Sequence, residues 1–464
     1  MIENRAPRRF CPGCFEKQIE IDRLKEEVVL LKARLRYQSR SGEEGFFGSS
    51  TPSSQIPIKP NAKEEQQNKR GGARCGHVGH GRQAVSESEA DRIVDIDVGD
   101  VCPECHGKLK ESKEYRDRTV IDIEPVEVKN ILYRISRKKC TQCGRMFQGK
   151  VPGVLPKSLF GNELLSHIAV QHYMYGVPLG RIEAQLDIGI GSMIGALHRL
   201  GQSFSSVPDV LIEEYRRSPI RHADETGWRN DGHSGYSWLF CSDKISIFCF
   251  RNTRSSQIPL AILGTKRLPG VLVVDRYNAY NKAPVALQYC YAHLLREVED
   301  LEKEFPDNNE VNCFASTLAP LLVQAMRLRL QNISDKKFYR HARALKVKIL
   351  KIINSPAKHP GIQRIQNIFR DNTGRMYHWV KSRDVPAENN LAERELRPTA
   401  IARKVSFGSQ SDEGAKTREI LMTVLHTLKK RTRNFAAQFK SALDKLAADS
   451  SFDSYRALFP SPDT

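Results

Sequence analysis

No stretch of this sequence stays apolar for the roughly 20 residues that a membrane-spanning helix needs. Its start, M-I-E-N-R-A-P-R-R-F, has no apolar segment behind the charges. Neither a membrane protein nor a secreted one is expected. A regular, even set of cysteines is also missing. The 11 cysteines are odd in number, and six of them fall in C-x-x-C pairs. That points to metal ligation in a reducing compartment, not to a disulfide frame. Acidic charge is in deficit: 54 Asp and Glu face 73 Lys and Arg, a net +19. Such an excess suits a polyanionic partner, nucleic acid ahead of membrane. The expected place is the cytoplasm, in association with the nucleoid. At 464 residues the chain has room for three or more domains and a large core.

Residues 15–38 carry Ile21, Leu24, Val28, Leu31 and Leu35 at 3-4-3-4 spacing, with charged residues on the other faces. β-branched residues at two a positions and Leu at d favour a two-stranded coiled coil, hence a homodimer or higher oligomer; the alternative is a helix packed on its own chain. Cys11 and Cys14 form half a metal site, which Cys75, His77 and His80 could complete; a plain turn fits equally. Residues 39–90 are rich in Ser, Gly, Pro, Lys and Glu and have no period, so they form a basic flexible linker.

Residues 91–150 hold the clearest metal signal. Cys102-Pro-Glu-Cys105 and Cys140-Thr-Gln-Cys143 are two knuckles, each aiming two thiolates at one ion. Between them Tyr115–Ser136 alternates as strands do. The expectation is a zinc ribbon with structural Zn2+. Residues 158–207 give helix, glycine turn, helix: either a helix-turn-helix, with Arg181 and Arg199 toward DNA, or an ordinary helical hairpin.

From Ile220 the period becomes that of strands. I-R-H-A-D, Y-S-W-L-F-C and S-I-F-C-F are three short runs, with a turn after the first at Gly227-Trp228. A helix follows at Ser255–Leu263, then the apolar strand Val271–Asp275 and another strand at Leu287–Tyr291. The expected order is three antiparallel strands, a helix, a strand, a helix and a strand, as in a ribonuclease-H-like core. Asp224 then ends the first strand and Asp275 the fourth, on neighbouring strands. Residues 215–296 and 386–426 form this catalytic core, and residues 297–385 are a helical insertion. Glu393 sits on a helix where the core resumes, with Arg394, Arg397, Arg403 and Lys404 following. Residues 427–464 are read as a basic helical tail. The fold class expected is multidomain α+β.

Three carboxylates on separate elements, Asp224, Asp275 and Glu393, suit a pair of Mg2+ (or Mn2+) ions. Hard oxygen ligands are what such ions prefer. Two ions roughly 3.5–4 Å apart can activate a hydroxyl nucleophile and relieve charge on a leaving phosphodiester oxygen. Neighbouring Glu225 and Glu395 are expected to be solvated or structural. Arg394 and Arg397 can clamp phosphate. His222 and His293 are either near the reacting groups or, more simply, packed. Trp228 either stacks on a base or fills the core.

In order along the chain, H-A-D-E-T-G-W, V-V-D-R-Y-N-A-Y, Y-C-Y-A-H, E-N-N-L-A-E-R-E-L-R-P and A-R-K-V-S-F-G-S resemble the insertion-sequence-66 family of bacterial DDE transposases. The ribbon, the C-G-H-V-G-H stretch and the zipper resemble it too. The resemblance implies a ribonuclease-H-like domain, Mg2+ chemistry and binding to the terminal inverted repeats of the element. By motif match the acidic triad falls on Asp224, Asp275 and Glu393. Arg276 replaces the usual Gly, Leu294-Leu295 replace basic residues, and the pattern is lost after about Thr427. The expected function is strand cleavage and transfer on double-stranded DNA, both element ends and target, with small accessory proteins as further partners. The alternatives are a DNA-binding protein that has lost catalysis and a structure-specific nuclease.

Overall fold

The computed structural model describes residues 126–460 throughout, together with 104–108, 20–28 and single residues at 17, 31, 88, 90, 93, 94 and 101. Two units separate, Ile58–Leu132 and the remainder. Leu35, Cys11, Cys14, Cys75, His77, His80 and Cys102 lie outside the described residues, as does the first half of the alternating segment Tyr115–Ser136. Residues 20–28 are helical, and Ile21, Leu24 and Val28 are exposed along it, as is Leu31. Residues 126–136 form no strand. The strands begin later, as a short antiparallel hairpin of β1 (Arg137–Lys139) and β2 (Met146–Gln148) around Cys140–Cys143.

The centre of the larger unit is a five-stranded sheet: β3 (Ile220–Asn230), β4 (His233–Cys241), β5 (Ser246–Arg251), β6 (Val271–Val274) and β7 (Ala286–Tyr289), in the order β5-β4-β3-β6-β7. β3, β4 and β5 are antiparallel, whereas β6 and β7 run parallel to β3. β3 is longer than its sequence suggests. The Gly227-Trp228 turn does not exist; both residues stay in β3, opposite Tyr236 and Gly235. The chain reverses instead at Asp231-Gly232, where φ is 49° and 74°. Left-handed angles at both residues of a two-residue loop match the right-handed twist of the strands it joins. Asp224 is therefore mid-strand, not at a strand end. The link from β6 to β7 also differs: it carries only a 3-10 turn, Asn278–Lys282, and the helix comes after β7.

Helices α1 (Asn162–Ala169), α2 (Leu179–Leu186), α3 (Ile190–Ser203) and α4 (Val207–Arg217) precede the sheet, and α5 (Gln257–Leu263) joins β5 to β6. α6 (Tyr291–Glu304), α7 (Asn309–Leu328), α8 (Asp335–Ile353) and α9 (Pro360–Asp371) follow. By length and composition alone α7 could cross a membrane, contrary to expectation. Its Val311, Phe314, Leu318, Leu322 and Ala325, however, repeat every three or four residues and are buried within the protein, as in an amphipathic core helix.

α10 (Asn390–Ser406), α11 (Asp412–Arg431) and α12 (Phe435–Ala448) follow, with a last short helix at Ser454–Leu458. α11 is buried continuously from Thr417 to Leu428 and covers the edge strand β5. Thr427 Oγ1 accepts from Ser246 N at 3.1 Å, Thr423 Oγ1 from Phe248 N at 3.0 Å and Glu419 Oε2 from Phe250 N at 3.3 Å. Side chains four residues apart lie one above another on a helix, and alternate amides of a strand point to one side, so the two spacings meet. The strand edge, otherwise open to pairing with another chain, is closed. α11 thus runs straight through the tail boundary expected at 426/427, and α12 returns to α1, where Asn162 Nδ2 donates to Asp444 Oδ1 at 2.9 Å. Three of the basic residues here serve the framework: Arg418 is buried against His172, Lys430 donates to Ser242 and Ile245 carbonyls, and Arg431 pairs with Glu214.

Candidate active site

The parallel pairing of β3 with β6 matches Ile220 to Val271, Arg221 to Leu272 and His222 to Val273, an offset of 51. Continued two residues on, past the end of β6 at Val274, the same offset would align Asp224 with Asp275, and equal parity would put both on one face. Both are buried. Asp224 Oδ1 accepts from Glu225 N at 2.9 Å, and Asp275 Oδ1 from Tyr277 N at 2.8 Å. Burial and then the nearby Glu225 carboxylate push the Asp275 carboxyl up to about 7, against the backbone bond and Arg254. Glu225 is neither solvated nor facing the same way as its neighbour. It is fully buried, gripped by Arg254 (Nε 2.9 Å, Nη2 2.5 Å) and by the Tyr280 hydroxyl at 2.5 Å, and Arg254 lies 3.7 Å above the Tyr277 ring. A charged post is thus built beneath the aspartates.

Glu393 is brought to the same strand by Asn389. The Asn389 amide donates through Nδ2 to Ala223 O at 2.8 Å, and its Oδ1 lies 2.9 Å from His222 Nδ1. These bonds hold the residue before Asp224 and the start of α10 together; Glu393 stands in the first turn. The beginning of α6 is tied in as well, Tyr291 N donating to Ala387 O at 2.8 Å and Asn389 N to Cys290 Sγ at 3.1 Å. Glu393 is 1% exposed; burial raises its pKa, opposed by Arg296, whose Nη2 lies 3.3 Å from Oε2. Oε1 has no partner, and neither ring nitrogen of buried His293 has one. Among the described residues, the donor atoms that lie within 4.8 Å of one another belong to Cys290, His293 and Glu393, a set that includes neither aspartate. His222, by contrast, is a packed histidine pushed down to about 4 by burial. Arg276 pairs with Glu297, and Leu294 is buried in the core.

Buried carboxylates, among them Glu393 with an unsatisfied oxygen, are the donor type that suits a hard divalent cation. Trp228 is core: it is 2% exposed, with Nε1 donating to Ser409 Oγ at 3.1 Å. Glu395 accepts from Ser246 Oγ at 2.9 Å and is structural. On α10, Arg394, Arg397, Ile401 and Lys404 are exposed at one helical spacing while Glu393, Leu396 and Ala402 are buried on the other side. Arg403 departs from its expected place among the DNA contacts. Its Nη1 donates to Thr226 Oγ1 at 3.0 Å and Gly227 O at 2.6 Å, pinning α10 to β3. α10 then stops abruptly. Phe407 is exposed at φ 60°, and a Cβ on Gly408 would meet Arg229 O at 2.1 Å. Arg181 on α2 and Arg199 on α3 are exposed. Sequence reasoning does not single out Asn389, Cys290 or Arg254; the doubled Asn in E-N-N, one turn before Glu393, is the available signal.

In the β1–β2 hairpin, Cys140 and Cys143 flank a tight turn in which Cys140 N donates to Arg145 O at 2.8 Å and Gly144 N to Cys140 O at 3.0 Å. The amides of Cys143 and Gln142 point at the Cys140 sulfur and lower its pKa. Such a knuckle stabilises a thiolate, as a zinc ligand must be. Cys105 is a free, exposed thiol in the other unit, beside the isolated bridge Val101–Lys108.

Two family models match the sequence. The model for "Transposase IS66 family" covers residues 157–417, more than half of the chain. The model for "zinc-finger binding domain of transposase IS66" covers residues 100–144. Two relatives from Sinorhizobium fredii (strain NBRC 101917 / NGR234) are similar along most of the length. "Uncharacterized protein y4jD" is 22% identical over 399 residues, 75% of each chain. "Uncharacterized protein y4qI" is 24% identical over 386 residues, 73% of this chain and 69% of its own.

Proposed function

This chain belongs to the IS66 family of transposases, and we propose that it binds the terminal inverted repeats of its own insertion element and catalyses DNA strand cleavage and strand transfer in the cytoplasm. The observation that carries the proposal is the β3–β6 register, which, continued two residues past its last pair His222–Val273, supports a level placement of Asp224 and Asp275, with Asn389, four residues before Glu393, bonded to the same strand. The strand order β5-β4-β3-β6-β7 supports a ribonuclease-H-like core. The helices Asn162–Ser203 support a helix-turn-helix role that presents Arg181 and Arg199.

On this reading Asp224, Asp275 and Glu393 hold Mg2+ or Mn2+. Bound there, two such ions would activate the attacking hydroxyl and offset charge on the leaving oxygen. The protein residues supply position. Glu225, fixed by Arg254 and Tyr280, keeps Asp275 reluctant to ionise until a cation arrives. Asn389 sets the distance of Glu393 from β3. Arg394, Arg397 and Lys404 hold phosphates along the exposed face of α10. Cys102, Cys105, Cys140 and Cys143 hold structural Zn2+, and residues 15–38 pair two copies through the exposed stripe of Ile21, Leu24, Val28 and Leu31.

The test uses purified protein, Mg2+ and DNA carrying the ends of the element. Nicking or joining is expected from the wild type. Asp224→Asn, Asp275→Asn and Glu393→Gln are each expected to abolish it while DNA binding persists. Wild-type binding without any cleavage at true ends would instead favour a DNA-binding protein that has lost catalysis, the reading that Arg276, paired with Glu297 beside the site, favours.

A further inference from the structure

We propose that Cys290, His293 and Glu393 form a second kind of metal site, selective for a thiophilic transition ion such as Zn2+, which withdraws Glu393 from the hard-cation site. The consequence for DNA chemistry rests on the function proposed above; the binding does not. Three observations converge. The ligand atoms of the three residues lie within 4.8 Å of one another, and all three residues are buried. Glu393 Oε1 and both ring nitrogens of His293 have no hydrogen-bond partner. The two helix starts that carry them are bound to each other, Asn389 N to Cys290 Sγ and Tyr291 N to Ala387 O. Cys290 caps α6 and His293 is three residues on, so both side chains lie on one face of its first turn, toward Glu393.

The chemistry of the donors selects the ion. A soft thiolate and a borderline imidazole beside one carboxylate make a mixed donor set that suits Zn2+ and does not suit Mg2+. Ligands around tetrahedral zinc lie about 3.3–3.8 Å apart, so a closure of about an ångström completes the site. Cys290 gives up its thiol proton to solvent as the sulfur binds; the imidazole and carboxylate bind through lone pairs already present. Arg296 stays on Oε2 of Glu393, leaving Oε1 for the ion, and the nearby Arg276 is paired with Glu297. The fourth position is open to water. A zinc ion seated here takes the carboxylate that the Mg2+ site shares, so zinc acts as an inhibitor.

The full chain is titrated with Co2+, whose thiolate charge-transfer absorption reports cysteine ligation, and bound metal is counted. Wild type is expected to take up one ion more than Cys290→Ser and His293→Ala, with a weaker thiolate band than the ribbon gives. Cys140→Ser is expected to lose the ribbon signal and keep this one. Glu393→Gln, which changes no volume, reads the same loss should Cys290→Ser fail to fold. Equal uptake in wild type, Cys290→Ser and Glu393→Gln overturns the proposal. With DNA and Mg2+, zinc is expected to suppress wild-type cleavage, and Cys290→Ser to shift the inhibiting zinc concentration by more than about tenfold, the least that losing even an outer-shell partner does. A protein that gains the extra ion but never cleaves DNA keeps this site and loses the proposed function. A protein that cleaves DNA but gains no extra ion does the reverse.

Discussion

Asp275 carries the strongest electrostatic demand of the proposed metal site. Out of water and beside Glu225, its carboxyl titrates near 7 in place of the ordinary 3.8. A carboxyl must be ionised to ligate, so Mg2+ affinity is expected to climb as pH rises through about 7 and to level off above it. Calorimetric titration of the full chain at several pH values checks this, and a pH-independent affinity between 6 and 8 refutes it. For stability without metal the sign is opposite. The folded pKa lies above the unfolded one, so the group favours the fold at low pH, and that contribution is lost as pH rises from about 4 through about 7. Arg254 and the Tyr280 hydroxyl hold the Glu225 carboxylate in place beside Asp275.

Among the elements, α10 and α11 divide the work. α10 exposes Arg394, Arg397 and Lys404 while Arg403 fastens it to β3. Replacing Lys404 with Ala is expected to weaken DNA binding and leave stability within about 0.5 kcal/mol. Replacing Arg403 with Ala removes two bonds to a buried strand and is expected to cost about 1–3 kcal/mol and to lower cleavage more than DNA affinity. Urea unfolding and filter-binding assays on the two variants separate the roles; equal loss of DNA affinity in both would return Arg403 to the DNA surface. α11 caps the open edge of the sheet. Thr423→Val and Thr427→Val keep shape but strip an acceptor from Phe248 N and Ser246 N, at an expected loss on the order of 1–3 kcal/mol each in chemical denaturation. A loss under about 0.5 kcal/mol would mean that the edge amides find other partners.

For the whole molecule, the excess of 19 positive charges predicts a steep salt dependence. Removing a cation that neutralises one phosphate is expected to flatten the slope of log affinity against log salt by about 0.9. Arg394→Ala, Arg397→Ala and Lys404→Ala combined should flatten it by nearly three such steps, measured as DNA affinity between low and moderate salt; an unchanged slope removes that face from the DNA path. Charge alone is a poor guide to which residues these are. Arg418, Lys430 and Arg431 are no less basic, yet tertiary packing turns them inward to His172, two loop carbonyls and Glu214.

Local chemistry was enough to mark the strands and helices around the acidic motifs, the Cys140–Cys143 knuckle and the helical segments between α6 and α10. Each rests on periodicity or on spacing within a few residues, which a linear chain carries in full. The lengths of β3 and α11, the place of Arg403 and the gathering of Cys290 and His293 around Glu393 were decided only by folding. β3 continues through Gly227 because β4 pairs with it, α11 continues because β5 needs its edge closed, and Asn389 joins residues 167 positions apart. Long-range pairing leaves no period in the sequence, and so its consequences appear only once the strands and helices meet.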